Sequence, residues 1–174
     1  MIKLLDLLEI GDSSAKKYNW QFGGKYESGG AINLDYDFKT DSNTQYFVKI
    51  TVQESAATPL AFEMRVSFGT GKSAIKKAFG DKKPFKQIVN KGEVFRVMAT
   101  VVDIVKEGIE RMAKEDYPVK IILFKPEEEK ETPMGYKKTD ENQRAKLYMA
   151  YIKQNMDMVH SIGKRGKEIE VILK

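Results

Sequence analysis

Hydrophobic and polar positions alternate in four segments of the N-terminal half. Every second residue is aromatic or aliphatic within each of four runs, which are 18–22, 32–38, 46–52 and 60–68. Successive side chains of a strand point to opposite faces, so this pattern predicts four half-buried strands. The short, turn-like connections favour an antiparallel meander, in which Gly23-Gly24 is expected to end the first strand.

The second half begins with a helical period. Apolar residues recur every three or four positions from Glu93 to Lys114, which predicts a largely buried helix. Val119–Phe124 is apolar except at Lys120, a pattern typical of a central strand covered on both faces. Asp140 can cap a second helix that extends to about residue 158. Residues 160–167 are expected to form a basic turn, and residues 168–173 a last strand.

This order predicts an α+β fold in a single domain over residues 1–174. An antiparallel four-stranded meander is followed by α-β-α-β, with two helices packed on a mixed sheet. Two segments lack a periodic pattern. Residues 69–92 are expected to be a basic connector, and residues 125–139, which contain Glu127–Glu129 and two prolines, a mobile acidic loop.

The net charge of +5 is concentrated in the connector. Residues 1–68 carry 7 basic and 9 acidic side chains, whereas residues 69–174 carry 23 and 16. Within residues 72–91 seven lysines accompany one acidic residue, Asp81. These lysines are Lys72, Lys76, Lys77, Lys82, Lys83, Lys86 and Lys91. The asymmetry is a stronger indication of function than the overall charge.

Such a lysine cluster can neutralise phosphates, and the interleaved Phe79 and Phe85 can stack on unpaired bases. The alternative is a solvated helix or loop that the two phenylalanines dock on the core. Lysine rather than arginine dominates, so any contact with nucleic acid is expected to be with the phosphate backbone. An acidic protein partner fits the same charge.

The composition excludes several classes of chemistry. The 174 residues include no cysteine and one histidine, which excludes disulfides, thiolate nucleophiles, iron–sulfur clusters and cysteine zinc sites, and disfavours a histidine-based triad. No run approaches 18 apolar residues and the N-terminus lacks a signal-peptide pattern, so we expect a cytoplasmic protein without a membrane partner. Lysines, tyrosines and backbone amides remain as functional groups, which favours binding over catalysis.

A phosphate-binding loop of nucleotide-binding proteins ends in Gly-Lys-Ser, and the same three residues follow a predicted strand here. They belong to the segment Gly69-Thr70-Gly71-Lys72-Ser73. A nucleotide-binding loop of this kind also needs an earlier glycine, and Val66 stands at that position. A glycine turn that enters the basic connector is therefore the favoured interpretation.

Three carboxylates, Asp35, Asp37 and Glu63, are expected on one polar sheet face. Paired carboxylates can bind a metal or share acid–base work, but polar faces of antiparallel sheets are commonly charged, and no metal site is predicted. His160 is expected after a helix end, where an imidazolium interacts favourably with the helix dipole.

The aromatic residues of the strands could form a stacking platform for RNA bases. The alternation instead assigns most of them to the core, and Phe47 alone to a polar face. The expected core aromatics are Trp20, Phe22, Tyr36 and Phe38.

The C-terminal half resembles a recurring pattern in uncharacterised proteins of tailed bacteriophages. The pattern comprises the helical segment Asn90–Val101, the strand Val119–Phe124 and the Arg-Ala-Lys-Leu-Tyr sequence at 144–148. The resemblance covers about 70 residues and implies a phage-encoded protein in the host cytoplasm. It implies no specific activity.

The same half resembles, more distantly, the arrangement of GNAT acyltransferases. In that family a Gln/Arg-x-x-Gly-x-Gly/Ala loop binds the acyl-CoA pyrophosphate, and here residues 66–71 have both glycines with Val66 at the first position. The resemblance implies acetyl-CoA as cofactor, held by Gly69, Gly71, Lys72 and Ser73. It also implies that Tyr148 is a general acid. The apolar pattern of the second predicted helix offers an alternative, in which Tyr148 packs in the core.

The sequence thus supports three hypotheses. The first is a non-enzymatic phage-type accessory protein that binds nucleic acid or an acidic protein through residues 72–91, without a cofactor. The second is a GNAT-like N-acyltransferase, for which strands four and five should splay apart. The third is a virion or assembly component.

Overall fold

The computed structural model of the protein describes residues 16–70, 91–124, 149–166 and 168–174. Seven strands and two helices lie in these ranges. The meander consists of β1 (Trp20–Ser28), β2 (Ala31–Lys39), β3 (Gln45–Glu54) and β4 (Phe62–Thr70). It is followed by α1 (Lys91–Lys114), β5 (Val119–Phe124), a helix α2 described over 149–155, β6 (Val159–Arg165) and β7 (Glu168–Leu173).

The strands form one mixed sheet in the order β1-β2-β3-β4-β5-β7-β6. All neighbouring strands are antiparallel except β4 and β5. Parallel neighbours require a crossover connection, and α1 lies in the segment that connects them. The predicted α+β class and the initial antiparallel meander are confirmed.

Glycines and one asparagine form the tight turns of the meander. Gly29 and Gly30 have φ values of 60° and 77°, the left-handed backbone of a two-residue hairpin whose twist matches that of the strands. The turn between β2 and β3 contains Asn43 at φ 66°. Both turns lie between segments that the sequence pattern predicts as strands.

One sheet face and both helices share the hydrophobic core. Leu34, Ile50 and Met64 lie on this face and are fully buried. α1 approaches them closely at Gly108, because a Cβ atom there would lie 3.1 Å from Ile50 Cδ1. Ile152 of α2 belongs to the same core.

The opposite sheet face is largely polar in the residues that the structure describes. The alternation places Asp35, Lys49, Thr51, Glu63 and Arg65 on this face. Ile121 and Leu123 of β5 also point to it and are buried, so β5 is covered on both faces as predicted.

The prediction that Gly23-Gly24 ends the first strand was wrong. β1 continues to Ser28, and its register with β2 shifts between Phe22 and Gly24. A glycine within a strand often marks such a bulge rather than a strand end. The shift explains why Phe22 contacts the aromatic ring of Tyr36, whereas Tyr26 lies beneath Lys49 on the polar face.

The predicted basic turn at 160–167 was also wrong, because residues 159–165 form the edge strand β6. An edge strand with exposed side chains has weak alternation, and Gly163 weakens the pattern further. The turn to β7 is shorter and contains Gly166 at φ 61°. α2 ends at residue 155, three residues earlier than expected.

Leu60 was expected in the fourth strand but lies before it in a turn. Its side chain is 95% exposed and its φ is 62°. The Ser55 hydroxyl accepts hydrogen bonds from the backbone N–H groups of Ala57 and Thr58, and Ser55 N–H donates to Ala61 O. This turn delays the start of β4 to Phe62.

No helix within the described ranges is both long and apolar enough to cross a membrane. The predicted acidic loop at 125–139, and all of the basic connector from residue 71 to residue 90, lie outside the described residues.

Candidate functional site

Most of the functional residues that the sequence predicts lie outside the described ranges. These are Lys72, Lys76, Lys77, Lys82, Lys83, Lys86, Gly71, Ser73 and Tyr148. Lys91 is the first residue of α1. Gly69 is buried near the end of β4, opposite Phe47 of β3. The structure therefore describes the two attachment points of the basic connector.

Both attachment points lie at one end of the sheet, which we call the turn end. Thr70, the last residue of β4, pairs with Tyr46 at the start of β3, immediately after the turn formed by Asp41, Ser42 and Asn43. α1 begins near the same turn, because Arg96 in its second turn forms an ion pair with Asp41. Thr70 and Lys91, the described residues on either side of residues 71–90, thus both lie at the turn end.

Arg96 is the central side chain of the turn end. Its guanidinium lies over the ring of Tyr18 at 3.9 Å from the ring centre, and its Nε donates to the backbone oxygen of Lys16 at 2.7 Å. Its Nη1 atom donates to the carboxylate of Asp41. Stacking and a backbone acceptor therefore orient the guanidinium plane independently of the acidic partner.

One helical turn after Arg96, Thr100 binds the same segment before β1, at Tyr18. Its buried hydroxyl accepts a hydrogen bond from Tyr18 N–H at 2.8 Å and donates to the backbone oxygen of Arg96 at 2.7 Å. The chain before β1 is thereby held against α1.

Further along α1, the Asp103 carboxylate interacts with two donors, Lys17 before β1 and Trp20 at the first position of β1. Trp20 Nε1 donates to Asp103 Oδ2 at 2.7 Å, and Lys17 Nζ lies 2.8 Å from the same oxygen. A shallow groove of about 150 Å³ opens beside this pair between α1 and α2. Its lining residues are Lys17, Ala99, Val102, Asp103, Lys106, Tyr151 and Asn155.

A third cluster on α1 contains a buried phenol. The Tyr36 hydroxyl donates to Glu107, which also accepts from Arg111 Nη2 at 2.6 Å. Burial raises the pKa of Tyr36, the hydrogen bond to the Glu107 carboxylate raises it further, and Arg111 opposes both effects. Arg111 stacks on Phe22 at 3.9 Å. A phenol with a raised pKa stays neutral, so Tyr36 remains the hydrogen-bond donor to Glu107.

The polar sheet face carries an ion-pair network centred on Glu63, which is buried. Its carboxylate lies 3.4 Å from Arg65 Nη2 and 3.3 Å from Arg165 Nη1. The two arginines also contact Glu168 at 3.6 Å and Glu170 at 3.1 Å. The network spans β4 to β6 across the sheet, and each arginine has two acidic partners.

The three carboxylates of the sheet face do not converge. Asp35 lies opposite Lys49, and burial raises the pKa of Asp35 while Lys49 opposes that effect. Asp37 accepts a hydrogen bond from Gln45 at 3.0 Å. Among the described residues, no group of three or more His, Asp or Glu could hold a metal ion.

The predicted assignment of most strand aromatics to the core is confirmed. Tyr36 and Phe38 are buried, Trp20 packs against the core, and Phe47 is half-buried on the polar face. Phe22 departs from the prediction, since it is 37% exposed beside the bulge. His160 is exposed in β6 rather than adjacent to a helix end.

Sequence reasoning missed the polar stripe of α1, which consists of Arg96, Thr100, Asp103, Glu107 and Arg111. The signal was present, because these residues recur every three or four positions and so share one helix face. Their partners come from residues 16–41, and no local pattern in the helix indicates them.

The charge of the described residues is almost balanced. They contain 16 lysines and arginines against 15 aspartates and glutamates. Residues 71–90, which join Thr70 to Lys91, contain six lysines and one acidic residue. The excess positive charge of the chain is therefore attached mainly at the turn end.

Comparison with protein-family models, curated proteins and solved structures finds no match to this chain.

Proposed function

We propose that the protein binds nucleic acid through its phosphate backbone, with the lysines of residues 72–91 as the contact surface. The observation that supports this proposal is the distribution of charge. The described fold is almost neutral, whereas residues 71–90 carry six lysines with Asp81 alone. Phosphate neutralisation by lysine is the main source of sequence-independent affinity for nucleic acids. A phage-type accessory role is part of the proposal, through the resemblance of the C-terminal half.

The arrangement of the turn end is consistent with this function. The lysine segment is attached where α1 begins, and the amino end of a helix carries partial positive charge. Arg96, with 27% of its side chain exposed, adds a guanidinium at the same end. The acidic cluster of Glu63, Glu168 and Glu170 belongs to the polar sheet face, where Arg65 and Arg165 compensate it.

The experiment is a set of fluorescence-anisotropy titrations with short single-stranded DNA, duplex DNA and RNA. We expect binding at low salt that weakens steeply between about 50 and 200 mM salt, as counterion release requires. A variant with Lys76, Lys77, Lys82 and Lys83 all changed to Gln should lose most of this affinity.

The matched control changes four described, exposed lysines, Lys114, Lys120, Lys153 and Lys174, to Gln. It removes the same charge elsewhere and should bind far better than the first variant. If both variants lost the same affinity for nucleic acid, the affinity would depend only on the net charge, which would contradict a localised binding surface. Tighter binding to polyglutamate than to any nucleic acid would identify an acidic protein as the partner instead.

The order of elements favours a second candidate, a GNAT-like N-acyltransferase. Four antiparallel strands precede a helix, a strand, a second helix and two further strands, an order that shares its first seven elements with the resemblance. β4 and β5 are parallel neighbours, with Gly69 near the end of β4. They remain paired from Phe62–Val119 to Val66–Phe124, the last described residue of β5. A splayed cofactor cleft would therefore have to open beyond these pairs.

Thermal unfolding with acetyl-CoA tests this candidate. A cofactor at 100 times its Kd adds about 2.7 kcal/mol to the free energy of unfolding. An acyltransferase should therefore unfold at a higher temperature with millimolar acetyl-CoA, and Gly71→Val should abolish the shift. An unchanged wild-type unfolding curve would reject acetyl-CoA binding.

A further inference from the structure

We propose that Arg96 is a phosphate-binding residue and that Asp41 occupies its binding position in the free protein. The inference rests on the proposed function and deepens it, because it adds a described residue to the polyanion surface. The ligand class is a phosphate group, presented by a nucleic acid backbone.

The guanidinium of Arg96 is oriented before any ligand binds. Tyr18 supports its plane by stacking, and the backbone oxygen of Lys16 accepts from Nε at 2.7 Å. Neither contact needs an anion. An arginine held in this way loses little side-chain entropy when it binds a phosphate through its terminal nitrogens.

The acidic partner of Arg96 is poorly buried. The Asp41 side chain is 79% exposed in the turn before β3, and it contacts Nη1 of Arg96. Ion pairs of exposed side chains contribute little stability, so exchange of this carboxylate for a phosphate costs little. A backbone phosphate carries one negative charge, as the carboxylate does, and it too can accept two hydrogen bonds from one guanidinium.

The second stacked arginine of α1 provides a contrast. Arg111 also lies 3.9 Å from an aromatic ring, that of Phe22, and it also pairs with a carboxylate. Its partner Glu107 is only 27% exposed, lies one turn away on the same helix, and accepts the Tyr36 hydrogen bond. If Glu107 moved away from Arg111, the buried Tyr36 hydroxyl would lose its hydrogen-bond acceptor. Arg111 is thus committed to structure, whereas Arg96 can exchange its partner.

The surroundings of Arg96 favour an anion. The adjacent Lys16 side chain is exposed, and Lys91 precedes Arg96 by just over one helical turn. The basic connector is attached at the same end. A phosphate on Arg96 would therefore belong to the same strand of nucleic acid as the phosphates on the lysines.

The test is a double-mutant cycle of Asp41→Asn and Arg96→Gln, measured as affinity for a short single-stranded DNA. Asp41→Asn should raise the affinity several-fold, and Arg96→Gln should lower it. Arg96→Gln should also reduce the slope of log affinity against log salt by about 0.7, the value for one phosphate on a single strand. In the double variant the gain from Asp41→Asn should disappear.

Two controls separate this site from general effects. Glu54→Gln removes one exposed charge at the opposite end of β3, and should leave the affinity near that of the wild type. Arg111→Gln removes the other stacked guanidinium and should leave the salt slope unchanged. Thermal unfolding identifies variants that fail to fold, and Arg96→Met, which keeps the apolar stem and removes the charge, then replaces Arg96→Gln in the cycle.

The outcomes distinguish the inference from the function on which it rests. An unchanged affinity in Asp41→Asn, or a gain that survives in the double variant, would overturn the Arg96 site. If neutralisation of the four connector lysines still abolishes binding, the proposed function stands without Arg96. A wild-type protein that binds no DNA at low salt would overturn both.

Discussion

At the scale of single residues, the polar stripe of α1 determines how the first strand is held. Thr100 accepts a hydrogen bond from Tyr18 just before β1, and Asp103 accepts one from Trp20, the first residue of β1. Glu107 accepts one from Tyr36 of the neighbouring strand β2. β1 is an edge strand whose only described strand partner is β2, so these contacts add to one ladder of backbone hydrogen bonds. Loss of one contact should therefore loosen the edge of the sheet.

Thr100→Val is expected to destabilise the protein by about 1–3 kcal/mol, because it leaves the Tyr18 N–H buried without its acceptor. Valine preserves the shape of threonine, so the effect reports the hydroxyl. Thr100→Ser retains the oxygen and should unfold close to the wild type. Chemical denaturation measures both, and equal losses in the two variants would contradict this role.

Tyr36 should make stability fall at alkaline pH. Burial and Glu107 raise the pKa of Tyr36 above its unfolded value of 10.0, so the folded state holds the proton more tightly. The free energy of unfolding therefore decreases as the pH rises above about 10.

Tyr36→Phe removes this ionisation and isolates its contribution. The stability difference between wild type and variant should be constant from pH 7 to about 9 and should shift against the wild type above about 10. Urea unfolding across this range measures the difference. A difference independent of pH up to 11 would contradict the raised pKa.

The sequence indicates burial better than it indicates partners. The alternation places Leu34, Ile50 and Met64 in the core correctly, because a strand residue faces one of two sides. It cannot identify the bond between Trp20 and Asp103, which lie 83 positions apart. The prediction that Leu60 lies in a strand was wrong for another reason. The hydroxyl of Ser55 stabilises a turn where the apolar pattern indicates a strand.

At the scale of elements, the approach of α1 to the sheet depends on Gly108. An added Cβ would lie 3.1 Å from Ile50 Cδ1 and 3.4 Å from Met64 Cε. Both side chains are fully buried, so they have little freedom to retreat. The glycine lowers helix propensity, and its advantage is the close packing of α1 on β3 and β4.

Gly108→Leu is expected to destabilise the fold by about 1–3 kcal/mol or more, because the larger side chain overpacks the core. Ala113→Leu adds volume to an exposed position of the same helix and should be nearly neutral. Thermal and urea unfolding compare the two. Similar stability in both variants would show that α1 can move away from the sheet at little cost.

Elements with strong periodicity were predictable, and edge elements were not. α1, β2, β3 and β5 follow the pattern because their burial is regular. β1 and β6 are the edges of the described sheet, and each has a register shift near a glycine or a polar residue. Such irregularities protect edges from pairing with other chains, and they also interrupt the alternation by which a strand is recognised.

At the scale of the whole molecule, the distribution of charge is the feature on which the proposed function rests. An almost neutral fold carries a lysine-rich connector at its turn end, and the sequence alone located that charge. Composition could not predict that the connector follows one of two parallel neighbouring strands, because that depends on the pairing of β4 with β5. Arg96 was missed because its three contacts come from residues 16–41.

The most direct test of the proposed function is the salt dependence of single-stranded DNA binding by the wild type and by the variant with Gln at positions 76, 77, 82 and 83. Each phosphate contact contributes about 0.7 to the slope of log affinity against log salt. We predict a steep wild-type slope that falls by about 2–3 in the variant, as four lysines in contact require. Equal slopes, or no binding by the wild type at low salt, would contradict a lysine-mediated nucleic acid surface.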